Sequence, residues 1–420
     1  YELIGDCKFT AVTIRAGNHL DLNGQRAFFD GALTLNGSSN FDFGGGMVYV
    51  NDNFNNVGVI TLTDAANGTL VQDFAGGCSM RHPTNIGTVF INSGTTSSNP
   101  GTAYSGIGKF IVGGTHTASD LDNSCTDVTI STGGILTAGS STITCSGDFT
   151  TSGGLLGASC LTLDGSQYGR EASQTALGLN SHHTVECWFK PADAFTGTDQ
   201  NLVYKHNSFG IRIQATTDVV QALHRVSGSW EYTTGTTALT ASKWYHVAVS
   251  YNDTTKVTEL YLNGKLEATS TLTATPTDDS VLNIGSDHNV SVGKFFTGSI
   301  DEIRFWKETR PILTANGIRA NMFDETPTDS NSKLFVQLSC NTGTGTDLND
   351  TKDNVDDVDL NEAAWAGAGT FTYGTSDLIM TGTSKNMYYL DNEELAKLSV
   401  TGTITLNSIN NSGGSLFLRG

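Results

Sequence analysis

Two kinds of residue pattern in this chain can do chemistry: clustered carboxylates, and aromatic side chains set among polar neighbours. The densest acidic stretch runs Asp347-Leu348-Asn349-Asp350-Thr351-Lys352-Asp353-Asn354-Val355-Asp356-Asp357-Val358-Asp359. A hard cation needs several oxygens converging from loops, so Asp347, Asp350 and Asp353 are candidate calcium ligands, against the plainer reading of a solvated acidic loop. Glycan recognition needs an exposed aromatic surface with polar groups around it. In Ser227-Gly228-Ser229-Trp230-Glu231-Tyr232, Trp230 and Tyr232 fall two apart on one strand, hence on one face, and form the candidate platform, with core packing as the alternative. Trp188, Trp244 and Trp306 sit in apolar strands and are expected in the core.

Several chemistries are excluded by what is missing. Glycoside hydrolysis by a strand-borne pair needs alternate carboxylates facing one bond, and the chain contains no Glu-x-Asp. The nearest substitute, Asp301-Glu302, puts neighbours on opposite faces of a regular strand. No G-x-S-x-G, Walker loop, G-x-G-x-x-G or H-E-x-x-H occurs. The nine histidines are dispersed, and His182-His183 lacks metal-ligand spacing. No catalysis is expected of the central block, and the flanking parts are left open.

The elements that must position these residues are β-strands. Gly is abundant at 48, Pro scarce at 6, and only 15% of the 420 residues are charged, a composition of many short strands and turns. A formal charge of −19 with no Lys/Arg cluster argues against nucleic acid or anionic lipid as partner. No apolar run approaches the roughly 20 residues that span a bilayer. Tyr1 opens the sequence without an export segment, as a processed or partial chain would. Seven cysteines stand singly, and are expected to be mostly free, buried thiols of a chain folded in a reducing cytoplasm.

Before Cys160, short alternating strands recur between Gly or Asn turns: Val12-Thr13-Ile14, Leu33-Thr34-Leu35, Val48-Tyr49-Val50, Val128-Thr129-Ile130, Ile143-Thr144-Cys145. Strands this short suit the stacked coils of a β-solenoid, where each rung pairs with the next; an ordinary sandwich is the alternative, and no period is evident. The texture returns after Trp365, at Phe371-Thr372-Tyr373, Leu378-Ile379-Met380, Leu398-Ser399-Val400, Ile404-Thr405-Leu406 and Leu416-Phe417-Leu418. The expected division is therefore a stalk over 1–158, an inserted domain over 159–368, and a return to stalk over 369–420. An open last strand would call for further protein or partner chains, such as a homo-oligomer, to cap it.

Within the insertion the landmarks are dense: Leu161-Thr162-Leu163-Asp164-Gly165, His183 to Pro191, Lys243 to Tyr251, Leu260-Tyr261-Leu262-Asn263-Gly264-Lys265-Leu266, Leu282-Asn283-Ile284-Gly285 and Phe296 to Trp306. Each strand has period two, and Asn263-Gly264 signals a two-residue hairpin. The series, continued by Ile318 to Met322, Leu334 to Leu338, and the closing loop from Asn341-Thr342-Gly343 to Ala363-Ala364-Trp365, resembles the laminin-G-like, concanavalin-A-like jelly-roll family of lectin and pentraxin-type modules. That resemblance covers about half the chain. It implies an antiparallel sandwich that commonly binds glycans, often with calcium, but also serves as a plain adhesive or spacer, and adds Asp164 and Asp301 as acidic positions that support a loop or an ion, with turn capping as the favoured reading of both.

A jelly roll within a Gly/Thr-rich β-stalk most resembles bacteriophage tail fibres, tailspikes and virion appendages. The expectation is an all-β virion structural or adhesion protein, made in a host cytoplasm and acting outside it. Its partners would be surface glycans and other virion proteins, and its only cofactor calcium. The alternatives are a secreted or cell-surface bacterial adhesin, a purely architectural decoration protein, and a depolymerising spike with carboxylates on the solenoid.

Overall fold

The computed structural model describes residues 2–418 except 38, 58–60, 64–67, 74–76, 82–84, 99–103, 119–122, 173–174, 193–194, 196, 280, 289–293, 315–316, 328, 330–331, 363, 366, 368, 373–376, 390–393, 396, 401–402 and 409–416. Tyr373, Ala363 and Leu416 of the sequence reading thus lie outside the described residues. The described chain is almost wholly β, with one four-residue α-helix, Ile318–Asn321, and one 3-10 turn, Thr175–Leu177. It divides into two compact units, residues 1–158 with 367–420, and residues 159–366.

The first unit is a parallel β-solenoid. Val12 stands opposite Leu33, and Leu33 opposite Phe54, a step of 21 residues each time. Cys125 stands opposite Cys145, a step of 20, and Phe110 opposite Val128, a step of 18. Successive rungs build a 13-stranded and an eight-stranded sheet, with a third of three strands in the early rungs. The period escaped the sequence reading because rungs vary in length and pair through backbone, without a repeated motif. Inward residues such as Phe29, Val50, Leu70, Ile91, Val112 and Ile130 are completely buried, each contributing roughly 1.5–3 kcal/mol of transfer free energy. Carboxylates tie rung to rung through backbone donors. Arg26 N donates to Asp6 Oδ1 (2.7 Å), Asp148 N to Asp127 Oδ1 (2.9 Å), and Asn386 N to Asp148 Oδ1 (2.8 Å). The last of these spans 238 positions, and Ile135 likewise stands opposite Thr370. The ladder therefore continues across the central unit as though that unit were a single long turn.

The central unit is an antiparallel two-sheet sandwich. One sheet runs in the order Lys265–Thr271, Val257–Leu262, Tyr245–Asn252, His183–Pro191, Thr297–Trp306, Leu161–Asp164, Ala364–Trp365, with Leu334–Leu338 also on Thr297–Trp306. The other runs Ser229–Thr234, Val220–Val226, Phe209–Ile213, Gln200–Lys205, Leu282–Ile284, Tyr168–Glu171, Val358–Asn361, Asp347–Leu348. Val185, Cys187, Phe189, Val249, Ile300 and Phe305 of the first share a core with Val203, Ile211, Val220, Ala222 and Ile284 of the second. Asn263 and Gly264 turn the hairpin at φ 48° and 69°, left-handed values that Asn and Gly accept and most residues resist.

The register of the first sheet slips between Leu260 and Tyr261 and between Phe305 and Trp306, and most consequentially beside Glu186. The register slips between Glu186 and Trp188, and Glu302 adopts φ 51°. Such a bulge turns side chains off the regular period. The outer face here is closed rather than wet: Trp188 and Trp306 lie on it, 2% and 1% exposed, beneath the chain that follows Trp306. Trp188 Nε1 donates to the Met322 carbonyl (2.7 Å) and its ring meets Phe323 at 5.0 Å. Two of the three tryptophans expected in the core are thus buried outside the sandwich proper.

Candidate functional site

The outward face of the second sheet carries the exposed aromatic cluster. Along Val220–Val226 and Phe209–Ile213, Val220, Ala222 and Ile211 point into the core, which leaves Gln221, Leu223, Arg225, Gly210 and Arg212 outward. Trp230 stands opposite Arg225, and Tyr232 opposite Leu223. Beyond Leu223 come Gly210 and then Tyr204. With no side chain at Gly210 the floor there is backbone; a Cβ would sit 3.1 Å from Tyr204 Cδ2 and 3.4 Å from Leu223 Cδ1. Tyr204 thereby reaches Trp230, ring centroids 5.8 Å apart and planes 43° apart. The Arg225 guanidinium lies 5.5 Å from the Trp230 ring and that of Arg212 5.3 Å from Tyr232.

The electrostatics favour a polar ligand laid on aromatic faces. Arg212 is fixed, NH1 to Asp199 Oδ2 at 2.6 Å and Nε donating to Gln221 Oε1 at 2.9 Å. Burial, with Asp287 nearby, pushes the Tyr204 hydroxyl up to about 12, so it stays neutral and both donates and accepts at physiological pH. Tyr232 is 46% exposed and Trp230 half-buried. The structure brings Trp230 and Tyr232 to one face, and adds Tyr204, Arg212 and Arg225, which the sequence reading missed. Their signal was present as an arginine at alternate positions of two apolar strands; which strand would lie beside Trp230 was not.

The acidic residues do not gather. Among the described residues no three His, Cys, Asp or Glu side chains converge as metal ligands. Asp164 caps a turn, its Oδ1 accepting Ser166 N (2.9 Å) and Oγ (2.7 Å). Asp301 is fully buried and accepts Glu302 N (2.9 Å). Asp350 is the hub of the acidic loop: Oδ1 accepts Gln337 N (2.9 Å) and Lys352 N (3.0 Å), and Oδ2 accepts Asn354 N (2.9 Å) and Val355 N (3.3 Å). Asp347 and Asp353 are exposed. A carboxylate saturated by N–H donors is poorly disposed to ligate a cation, so Asp350 as placed here serves the loop's own backbone.

A cluster of charged side chains is sealed under the outer face of the first sheet. Glu186 Oε1 accepts Trp306 Nε1 (2.9 Å) and Arg310 NH1 (3.2 Å), while His246 Nε2 lies 3.4 Å from Oε2. Glu302 Oε2 accepts Arg304 NH2 (2.8 Å) and Gln337 Nε2 (3.0 Å). Burial alone would raise the Glu186 carboxyl, but His246, Arg310 and Arg304 outweigh it and hold it down to about 2. Burial pushes Glu302 the other way, further than Arg304 restores. The expectation that Asp301 and Glu302 face apart assumed unbroken alternation, which the bulge removes. What separates them from a substrate is burial, at 0% and 1% exposed. The cluster clamps the segment after Trp306 onto the sheet. Of the cysteines, Cys7 is partly buried, Cys125, Cys145, Cys160, Cys187 and Cys340 are buried, and these six are free.

Residues 163–312 match the family described as the concanavalin A-like lectin/glucanases superfamily. Among solved structures, a provisionally named carbohydrate-binding protein from Bacteroides ovatus is similar at 20% identity and TM-score 0.41, over 50% of this chain and 59% of that one. The match thus spans less than two thirds of the Bacteroides protein. The CBM40 module of a Ruminococcus gnavus sialidase is similar at 18% identity and TM-score 0.32, over 38% and 96%. A heptameric pentraxin from Limulus polyphemus is similar at 16% identity and TM-score 0.30, over 38% and 84%. No curated protein matches the chain. The central unit has the concanavalin A-like lectin fold.

Proposed function

We propose that this chain is a virion structural or adhesion protein, of the tail-fibre, tailspike or capsid-appendage kind, that displays its central unit for multivalent capture of surface glycans. The observation that carries the reading is the insertion: a parallel ladder passes from Ile135 to Thr370 with an entire lectin-fold unit between them. A solenoid is a repeated scaffold that does not depend on the insert for its own pairing, so the insert is free to serve recognition. The recognising surface is the outward face with Trp230, Tyr232 and Tyr204, where sugar rings stack on aromatic faces while Arg212 and the Tyr204 hydroxyl supply directional contacts. Each copy binds weakly, and tethering copies on one particle raises the effective concentration of the rest.

The test has two arms. Antibody labelling of the source particle should decorate an appendage of a virion; label on a bacterial cell surface instead would favour the adhesin. On a glycan array the full chain should bind, and Trp230→Ala should weaken binding at least tenfold with the unfolding midpoint unchanged. A purified chain that binds no glycan even as a multivalent display would leave only the architectural role.

A further inference from the structure

Resting on the glycan reading just given, we infer that the Trp230 face takes an acidic saccharide, whose carboxylate or sulfate pairs with the guanidinium of Arg225. A guanidinium offers five N–H donors in a rigid fork and is rarely left without acceptors when partly buried. Four other arginines of this unit obey that rule. Arg212 is engaged by Asp199 and Gln221, Arg304 by Glu302 and the Asn321 carbonyl, Arg310 by Glu186, and Arg319 by the Gly264 carbonyl. The Arg225 guanidinium has no hydrogen-bond acceptor or ion-pair partner among the described residues, and lies 5.5 Å from the centre of the Trp230 ring. Arg170 shares that condition, but four strands away across the same sheet.

The nearby acids do not supply the missing partner. Asp199 is taken by Arg212 at 2.6 Å, Asp279 by His206 at 2.9 Å, and Asp287 lies 3.9 Å from Lys294. Arg225 is therefore a surplus positive charge beside the aromatic cluster, in a chain whose formal charge is −19. It also sits directly across the ladder from Trp230, so a saccharide held against the exposed part of that side chain brings its substituents within reach of the fork. Stacking on Trp230 rigidifies the guanidinium without consuming its donors, which lowers the ordering cost of a bidentate contact.

The experiment measures binding of the full chain to oligogalacturonate, to its carboxyl-reduced neutral counterpart, and to a sulfated chondroitin oligosaccharide, for wild type, Arg225→Gln, Arg225→Lys and Trp230→Ala. Tryptophan fluorescence checks that each variant is folded. The expected result is at least a tenfold preference for one or both acidic oligomers over the neutral one, equivalent to about 1.4 kcal/mol. Arg225→Gln should abolish that preference while keeping residual neutral binding, Arg225→Lys should keep most of it, and Trp230→Ala should weaken acidic and neutral binding together. Equal binding of acidic and neutral oligomers by wild type, or an unchanged preference in Arg225→Gln, overturns the acidic specificity alone. Binding that survives Trp230→Ala undiminished overturns the placement of the site on this face, and this inference with it, while no binding of any oligomer overturns the glycan reading and this inference together.

Discussion

Replacing Glu186 by Gln should destabilise the central unit by about 3 kcal/mol at neutral pH and remove part of its sensitivity to acid. The carboxyl is held at about 2 in the folded chain against an ordinary 4.5, and each pH unit of such a difference is worth about 1.36 kcal/mol. Because the folded value is depressed, the stabilisation is fully present above about pH 4.5 and drains away as pH falls towards about 2. Gln keeps an oxygen for the Trp306 indole but leaves Arg310 and Arg304 facing a neutral group in a buried site, which costs several kcal/mol where it has been measured. For a unit of roughly 200 residues the loss corresponds to a midpoint lowered by about 6–12 °C. All five tryptophans, Trp188, Trp230, Trp244, Trp306 and Trp365, belong to this unit, so tryptophan fluorescence follows its unfolding apart from that of the solenoid. Melts of both proteins from pH 7 to pH 2.5 should converge as the wild type loses what the variant never had. A variant within 0.5 kcal/mol of wild type at pH 7, or acid limbs that stay parallel, would refute the assignment of Glu186 as the keystone of the sealed cluster.

Gly264→Ala should cost about 1–2 kcal/mol, since the position holds φ 69° and a Cβ would lie 3.3 Å from Arg319 Cγ; denaturant titration of both proteins measures it. Asp350→Ala should strip four N–H donors of their acceptor and raise amide exchange locally across the Asp347–Asp359 loop, whereas a chelator should leave the midpoint of the wild type unchanged, as calorimetry with and without it will tell. Brief treatment of the native chain with iodoacetamide at pH 7.5 should spare Cys125, Cys145, Cys160, Cys187 and Cys340, whose thiols burial pushes up, Cys145 to about 12; mass spectrometry after digestion reads the result.

What the residues alone determined is the part of the fold written in short-range order. Period-two alternation placed Val185, Cys187 and Phe189 on one face of a strand, and Asn263-Gly264 demanded a tight hairpin, because side-chain direction and left-handed backbone are properties of two or three consecutive residues. The all-β class and the short rungs of a solenoid were legible for the same reason, whereas the concanavalin A-like sandwich was legible only through the resemblance of its whole series of landmarks to that family. The 20-residue rung was not, since Cys7 meets Ala27 through backbone bonds that any residue can make. Nor was the company of Trp230: Arg225 lies five positions away along a hairpin, but Tyr204 arrives from two strands further across the sheet. The bulge at Glu302 and the lid that buries Trp188, Trp306 and Glu186 also came only with tertiary structure. Alternation says which way a side chain points from its own strand. Whether that direction ends in water, in a second sheet or under a returning segment is settled by chain tens of residues away, where desolvation and charge pairing act through space and leave no local trace.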